Sequence, residues 1–249
     1  MNFAFARKLE VELNEIDLMY QKSLQSWWED LAYLRERLQG EKSLQLMPAV
    51  VMLAYKYLDS DHTLSIDMAS LFKTLYLANL IHKQVKDEEE GQLNNQDLQF
   101  TILIGDYIFG RVLKLLLEIG AVQVLDNLAA LICQVSEGLV MEHKSGENQL
   151  GIFKRGNVSF YATGFLSAAR LKGLDHESIE LYEQLGFNVG LAMELLITGN
   201  LAQAKLYIEK GTNVLAAFQV KAGFANGCLD KFLQDLASEI PVADSSIAI

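Results

Sequence analysis

Residues 71–90, LFKTLYLANLIHKQVKDEEE, are the most informative stretch of this 249-residue chain. Apolar residues fall on nearly every side of the helix predicted for its first half: Leu71, Phe72, Leu75, Tyr76, Leu77, Ala78, Leu80 and Ile81. A helix of this kind belongs in the middle of a core. The second half turns polar abruptly and ends in three glutamates. We therefore expect the wall of a cavity whose mouth meets water, suited to a ligand with an apolar body and a polar head.

The composition predicts an all-α fold. Pro48 and Pro241 are the two prolines, so a long stretch between them lacks helix breakers. Leucine and alanine dominate over valine and threonine, and no run shows the two-residue alternation of a half-buried strand. Without a shift in composition or an internal repeat, we expect one domain over 1–249, with N-terminal helices in 1–39 and a frayed tail at 240–249.

Charge and cysteine usage restrict the location and the partners. The net charge of −11 and the pI near 4.8 exclude a nucleic-acid-binding surface. Charged residues near the start argue against a secretory signal, and no uncharged apolar run of 18 residues predicts a membrane span. Cys133 and Cys228 each stand alone in apolar surroundings, which predicts buried thiols in a reducing compartment. We expect a cytoplasmic protein.

Several local features predict details of the helices. Pro48 is expected near the first turn of a buried helix, and Ser65 as the N-cap of the central helix. Asp106, in an otherwise apolar helix, is expected as a buried hydrogen-bond acceptor. Gly186 and Gly190, four residues apart, predict close packing between two helices.

Four blocks of the sequence, in this order, resemble the trans-isoprenyl diphosphate synthase family, also called polyprenyl synthetases. They are GEKSLQLMPAVVMLA at 40–54, LANLIHKQVKD at 77–87, ILIGDYIFGRVL at 102–113 and VGLAMELLITGNL at 189–201. The resemblance implies a bundle of roughly ten or more helices around a deep apolar cavity, usually in a dimer. It also implies two aspartate-rich motifs that hold magnesium on an allylic diphosphate.

The two aspartate-rich motifs are degenerate in this chain. The first falls on Lys83, Gln84, Val85, Lys86 and Asp87, and keeps one carboxylate. The second falls on Ile197, Thr198, Gly199, Asn200 and Leu201, and keeps none. Isoleucine and leucine cannot ligate magnesium, and a single carboxylate beside two ammonium groups binds it poorly. We therefore expect no catalytic residues and no metal in this chain, with magnesium only on a catalytic partner. The acidic run at 87–90 is either a solvated helix end or a metal ligand set.

The resemblance also implies sites for a diphosphate and for a prenyl chain. Lys42 remains from a basic set of the family, with Ser43 and Gln45 at its arginine positions, and Lys83 and Lys86 are two further candidates for binding a diphosphate. The family's Lys-Thr pair falls near residues 156–157. The family's prenyl tunnel would be lined here by three residues that are otherwise ordinary packing residues: Leu75, Ala78 and Asn79.

Three functions remain open on the sequence. In the first, the chain resembles the non-catalytic small subunit of heteromeric prenyl diphosphate synthases, which supports a catalytic partner and its control of product length. Its subunit interface would then be the apolar face of the helix at 100–118. In the second, it is a stand-alone protein, as a homodimer, that binds a prenyl diphosphate without metal. In the third, His82 with Asp87, or Glu194, performs new acid–base chemistry.

Overall fold

The computed structural model describes residues 3–85, 96–145, 151 and 156–241. Within these residues the chain forms eleven α-helices, two 3₁₀ turns at Gln25–Trp27 and Val122–Val124, and no strand, which confirms the all-α prediction. The helices are α1 (Ala4–Lys8), α2 (Glu10–Ser23), α3 (Ala32–Arg37), α4 (Lys42–Tyr57), α5 (His62–Lys83), α6 (Gln96–Ile119), α7 (Leu125–Ser145), α8 (Asn157–Lys172), α9 (His176–Ile197), α10 (Leu201–Ala222) and α11 (Cys228–Ser238).

Helix α5 lies at the centre of the bundle, as its sequence predicts. Every residue from Met68 to Ile81 is buried, because α2, α4 and α6 all pack along this helix. A helix that is apolar on all sides needs such neighbours to remove its surface from water. The polar residues that follow Lys83 therefore emerge at one end of the core.

Two predictions about helix starts are wrong. The N-cap of α5 is Asp61, whose Oδ1 accepts a hydrogen bond from the backbone N–H of Leu64 at 2.9 Å. Ser65 lies one turn inside the helix, where its hydroxyl donates to the carbonyl oxygen of Asp61. Pro48 lies in the interior of α4, because this helix already begins at Lys42. Aspartate caps a helix as well as serine does, and the sequence favoured the wrong one of two suitable residues.

The close packing predicted for Gly186 and Gly190 is confirmed at the contact between α8 and α9. A Cβ atom added to Gly186 would lie 2.8 Å from the Cβ of Phe165, and one added to Gly190 would lie 2.9 Å from the Cβ of Tyr161. Real Cβ atoms do not approach so closely, so only glycine allows this spacing between the two helices.

Helices α6 and α7 lie on the outside of the bundle. Among the described residues, α6 packs extensively on α5 alone, and its opposite face is exposed. The carboxylate of Asp106 lies on that exposed face, 3.4 Å from Nε2 of His82, so the prediction of a buried acceptor is wrong. The sequence identifies an apolar helix but not which of its faces has a neighbour.

Among the described residues, two helical stretches are long and apolar enough to cross a membrane by length and composition. The first is α5, in which 89% of the apolar window is buried inside the protein. The second covers Val122–Met141, of which only 28% is buried. The first is a core helix, whereas the second leaves much apolar surface uncovered.

The two cysteines differ in exposure, and the prediction that both are buried is wrong for Cys133. Cys133 is exposed on α7, whereas Cys228 is half-buried, and burial raises the pKa of its thiol to about 11. Because the thiolate is the reactive form, we expect Cys228 to react with a disulfide reagent at pH 8 roughly 100-fold more slowly than an unperturbed thiol. The rate is measured in a Cys133→Ser variant, with the urea-unfolded variant as control. Equal rates in the folded and unfolded protein would contradict the burial of Cys228.

Candidate functional site

Segments from three of the four sequence blocks, all but the one at 102–113, meet at one end of the bundle. The start of α4, the end of α5, the start of α8 and the end of α9 approach one another around the side chain of Glu194. Ser43, Asn157 and Glu194 are far apart in the sequence, but they are joined here by direct hydrogen bonds. This end of the bundle is therefore the candidate site.

The carboxylate of Glu194 is 2% exposed, and both of its oxygens accept hydrogen bonds. The Ser43 hydroxyl donates to Oε1 at 2.8 Å, and the Tyr161 hydroxyl donates to the same oxygen at 3.2 Å. The Asn157 amide donates to Oε2 at 2.7 Å. We call these four residues, Ser43, Asn157, Tyr161 and Glu194, the Glu194 cluster. Its hydrogen bonds tie α4 and α8 to α9.

Aromatic side chains occupy the space below the Glu194 cluster. The ring of Tyr76 meets that of Phe160 edge to face at a centroid distance of 4.9 Å, and both side chains are buried. The negative charge of Glu194 acts on the buried hydroxyl of Tyr76. Burial raises the pKa of Tyr76 and of Tyr161 well above the ordinary value for tyrosine, so both hydroxyls keep their protons at neutral pH.

Burial also raises the pKa of Glu194 above its ordinary value. The hydrogen bonds from Asn157, Ser43 and Tyr161 oppose this effect, and so does the Lys83 ammonium group, because all four favour the ionised form. The carboxylate is therefore solvated by the protein rather than by water.

The raised pKa of Glu194 predicts a specific dependence of stability on pH. Above pH 4.5, the ordinary value, the unfolded chain loses the Glu194 proton first, so the free energy of unfolding falls as the pH rises towards the folded-state pKa. A single carboxyl group contributes a slope of at most about 1.4 kcal/mol per pH unit. In urea unfolding across this pH range, the free energy of unfolding should fall less steeply for Glu194→Gln than for the unsubstituted chain. The exposed Glu180, on the same helix, supplies the control variant Glu180→Gln. An unchanged slope in Glu194→Gln would contradict the assignment.

The described residues of the first degenerate motif serve other contacts. Lys83 is half-buried and acts electrostatically on Glu194, while the side-chain oxygen of Gln84 accepts a hydrogen bond from Arg37 at 3.1 Å. Lys42 is exposed at the first residue of α4. Lys86 and Asp87, and with them the acidic run at 87–90, lie outside the described residues. The binding of a diphosphate by Lys42, Lys83 and Lys86 thus stays a prediction.

The residues of the second degenerate motif form the turn between α9 and α10. The Thr198 hydroxyl donates to the carbonyl oxygen of Glu194 at 2.8 Å, and Gly199 has a φ of +80°. The side chain of Asn200 is the N-cap of α10. Ile197 and Leu201 pack partly buried against the core. These residues end one helix and begin the next, and none of them presents a carboxylate.

The tunnel candidates Leu75, Ala78 and Asn79 are at most 1% exposed. The Nδ2 atom of Asn79 is buried without a hydrogen-bond partner among the described residues. None of four pockets found on the described part of the chain is lined by these three residues. The largest of the four, about 750 Å³, lies elsewhere, between α7, α8 and the first half of α9. A prenyl tunnel at Leu75, Ala78 and Asn79 therefore stays a prediction.

Magnesium, which the resemblance implies, does not fit the residues described at this end of the bundle. Glu194 is the carboxylate of the cluster, and both of its oxygens already accept hydrogen bonds. Nowhere in the described parts of the chain do three histidine, cysteine, aspartate or glutamate side chains form a group that could hold a metal. Magnesium prefers several hard oxygen ligands around it, and the amide, hydroxyl and ammonium groups found here do not supply such a set.

Sequence reasoning missed the role of Ser43, Asn157 and Tyr161. The sequence made Glu194 a candidate for acid–base chemistry, but it did not show that this side chain collects three donors. The available signal was a lone glutamate between apolar residues in α9 (GLAMELLI), which must find hydrogen bonds if the helix is buried.

Comparisons with known proteins agree with this fold. A decaprenyl-diphosphate synthase of Dictyostelium discoideum is 27% identical over 171 residues, which are 62% of this chain and 37% of the relative. The chain thus spans little more than a third of the length of that relative. No family model matches the sequence.

Solved structures match nearly the whole chain. A polyprenyl synthase from Caulobacter crescentus, complexed with calcium and isoprenyl diphosphate, has a TM-score of 0.75 at 18% identity and covers 96% of this chain and 98% of its own. The geranyl diphosphate synthase small subunit from Antirrhinum majus has a TM-score of 0.63 at 17% identity and covers 91% of this chain and 98% of its own. The chain therefore has the polyprenyl synthase fold, and the curated relatives that it resembles are polyprenyl diphosphate synthases.

Proposed function

We propose that this chain is a non-catalytic subunit of a heteromeric polyprenyl diphosphate synthase in isoprenoid biosynthesis, where it supports a catalytic partner and its control of product length. The observation that carries the proposal is the Glu194 cluster. The fold is that of the polyprenyl synthases, yet the buried carboxylate at the candidate site accepts three hydrogen bonds from protein donors.

The chemistry of prenyl transfer explains why the cluster matters. Ionisation of an allylic diphosphate depends on metal ions and cations that stabilise the leaving group. At the candidate site, Lys83 acts electrostatically on Glu194, and the positions of the second motif form the turn between α9 and α10. A chain arranged in this way needs a partner that supplies the metal site.

An exposed apolar surface on α6 and α7 supports the existence of such a partner. Leu103 and Leu117 of α6 are 68% and 65% exposed. We call these exposed apolar side chains of α6, α7 and the 3₁₀ turn between them the α6–α7 surface: Ile102, Leu103, Tyr107, Leu113, Leu117, Val122, Leu125, Val140 and Met141. Exposed apolar side chains concentrated on long helices are typical of a subunit interface rather than of a face that stays in water. We assign the α6–α7 surface to the catalytic partner.

One structural neighbour supports a role as a subunit, because it is itself named as the small subunit of a geranyl diphosphate synthase. The alternative, a stand-alone protein that binds a prenyl diphosphate through lysines, has less support because Lys83 acts on Glu194 and Lys42 is exposed. A role in quinone side-chain synthesis and a cytoplasmic location belong to this proposal and stay predictions.

Co-purification followed by reconstitution tests the proposal. We expect the native complex to contain a polyprenyl synthase chain with both aspartate-rich motifs intact. Mixing the two purified chains should give magnesium-dependent chain elongation at least about 100-fold faster than either chain alone. This factor corresponds to a barrier lowered by about 2.7 kcal/mol. A stable homodimer that gains no activity with a motif-bearing partner would overturn the proposal, as would its recovery in membrane vesicles without such a partner.

A further inference from the structure

The side chains of the Glu194 cluster come from the ends of three helices. Ser43 is the second residue of α4, Asn157 is the first residue of α8, and Glu194 lies in the last turn of α9. Neither α4 nor α8 has a capping side chain at its own N-cap position. The contacts to Glu194 therefore hold two helix starts that lack a capping side chain of their own.

We propose that Glu194 acts as an internal anion that holds this end of the bundle together without a ligand, by fastening the starts of α4 and α8 to the end of α9. This goes beyond a non-catalytic role, since a chain can lack catalysis and still bind substrate. In this proposal, the Glu194 carboxylate has the role that a bound external anion would otherwise have. It applies to the isolated chain and does not depend on the identity of the partner.

The geometry supports a fixed anion in this place. Two oxygens of Glu194 accept three hydrogen bonds between 2.7 and 3.2 Å, so the charge is compensated by donors of fixed position. Hydrogen bonds to an ionised group are stronger than those between neutral groups. Breaking the cluster leaves a buried charge or a buried donor unpaired, and both cost free energy.

A fixed anion at this end of the bundle has a consequence for ligands. A diphosphate would bring at least two further negative charges next to a carboxylate that is 2% exposed. Like charges at such a distance repel strongly where water is excluded. The Lys83 ammonium group already acts electrostatically on this carboxylate. The isolated chain is thus expected to exclude prenyl diphosphates with or without magnesium.

Hydrogen–deuterium exchange on single variants tests the fastening. Ser43→Ala should speed exchange in the first two turns of α4 about tenfold and leave α8 unchanged, because each donor fastens its own helix. Asn157→Ala should speed exchange in the first two turns of α8 and leave α4 unchanged. Glu180→Gln, an exposed change on α9, is the control and should alter neither region. Unchanged exchange in both variants, or an increase spread equally over α2 and α11, would overturn the proposal.

Titration calorimetry of the isolated, unsubstituted chain tests the exclusion of prenyl diphosphates. Farnesyl diphosphate is the probe, with and without excess magnesium, and no saturable binding is expected. Binding of one farnesyl diphosphate per chain would overturn the expected exclusion. Because no partner is present in either experiment, a failure of the proposed heteromer would leave both results interpretable.

Discussion

Replacing Leu103 and Leu117 with glutamate is expected to abolish assembly with the catalytic partner and the activity of the mixture. Both side chains are more than 60% exposed in the chain alone, so their replacement removes no core packing. Burial of a leucine in an interface contributes about 1.5–3 kcal/mol. The loss of two corresponds to about 3–6 kcal/mol, or roughly 100- to 10,000-fold in the dissociation constant.

A matched control is available on α10. Val220 is 89% exposed and lies outside the α6–α7 surface. Val220→Glu should leave both the assembly and the thermal midpoint unchanged. The dissociation constants are measured by sedimentation velocity. Assembly that survives in the Leu103→Glu, Leu117→Glu chain with its original affinity would place the partner elsewhere.

The second large effect is expected at the glycine contact between α8 and α9. Adding a methyl group to both Gly186 and Gly190 places two Cβ atoms less than 3.0 Å from the side chains of Phe165 and Tyr161. Overpacking costs about 1–3 kcal/mol at each position, which exceeds the gain of about 1 kcal/mol in helix propensity from glycine to alanine. The double alanine variant should therefore lose several degrees in thermal midpoint, at roughly 2–4 °C per kcal/mol for a chain of this size.

At a glycine without close neighbours, replacement by alanine is expected to raise the thermal midpoint instead. Gly110 lies in the exposed part of α6, and no atom of the described chain lies within 4 Å of an added Cβ. Gly110→Ala should raise the thermal midpoint of the isolated chain, since only helix propensity changes. Calorimetric scans of the two variants provide the comparison. A stabilised Gly186→Ala, Gly190→Ala chain would contradict the contact between α8 and α9.

The sequence predicts features that depend on one segment alone. The apolar run before Lys83 predicts the central helix, and the spacing of Gly186 and Gly190 predicts a close helix contact, because both patterns lie within a few turns. The exposure of Asp106 and Cys133 was missed, because it depends on which face of α6 or α7 has a neighbour. A lone sequence does not contain that information.

At the candidate site, too, the sequence predicts features of a single segment but not contacts between distant segments. Loss of carboxylates from the second motif can be read directly from Ile197, Thr198 and Leu201. The hydrogen bonds from Ser43 and Asn157 to Glu194 cannot be read from the sequence, because these residues are 151 and 37 positions away from the glutamate. Long-range polar contacts of this kind depend on how the helices are arranged in the bundle.

The most direct measurement is the prenyl transfer activity of the isolated chain. The purified protein is incubated with farnesyl diphosphate, isopentenyl diphosphate and magnesium, and the products are separated by chain length. We predict no elongation above the background without protein, and elongation once the catalytic partner is added. Magnesium-dependent elongation by the isolated chain would contradict a non-catalytic role. The candidate site would then have to supply a metal site that its described residues lack.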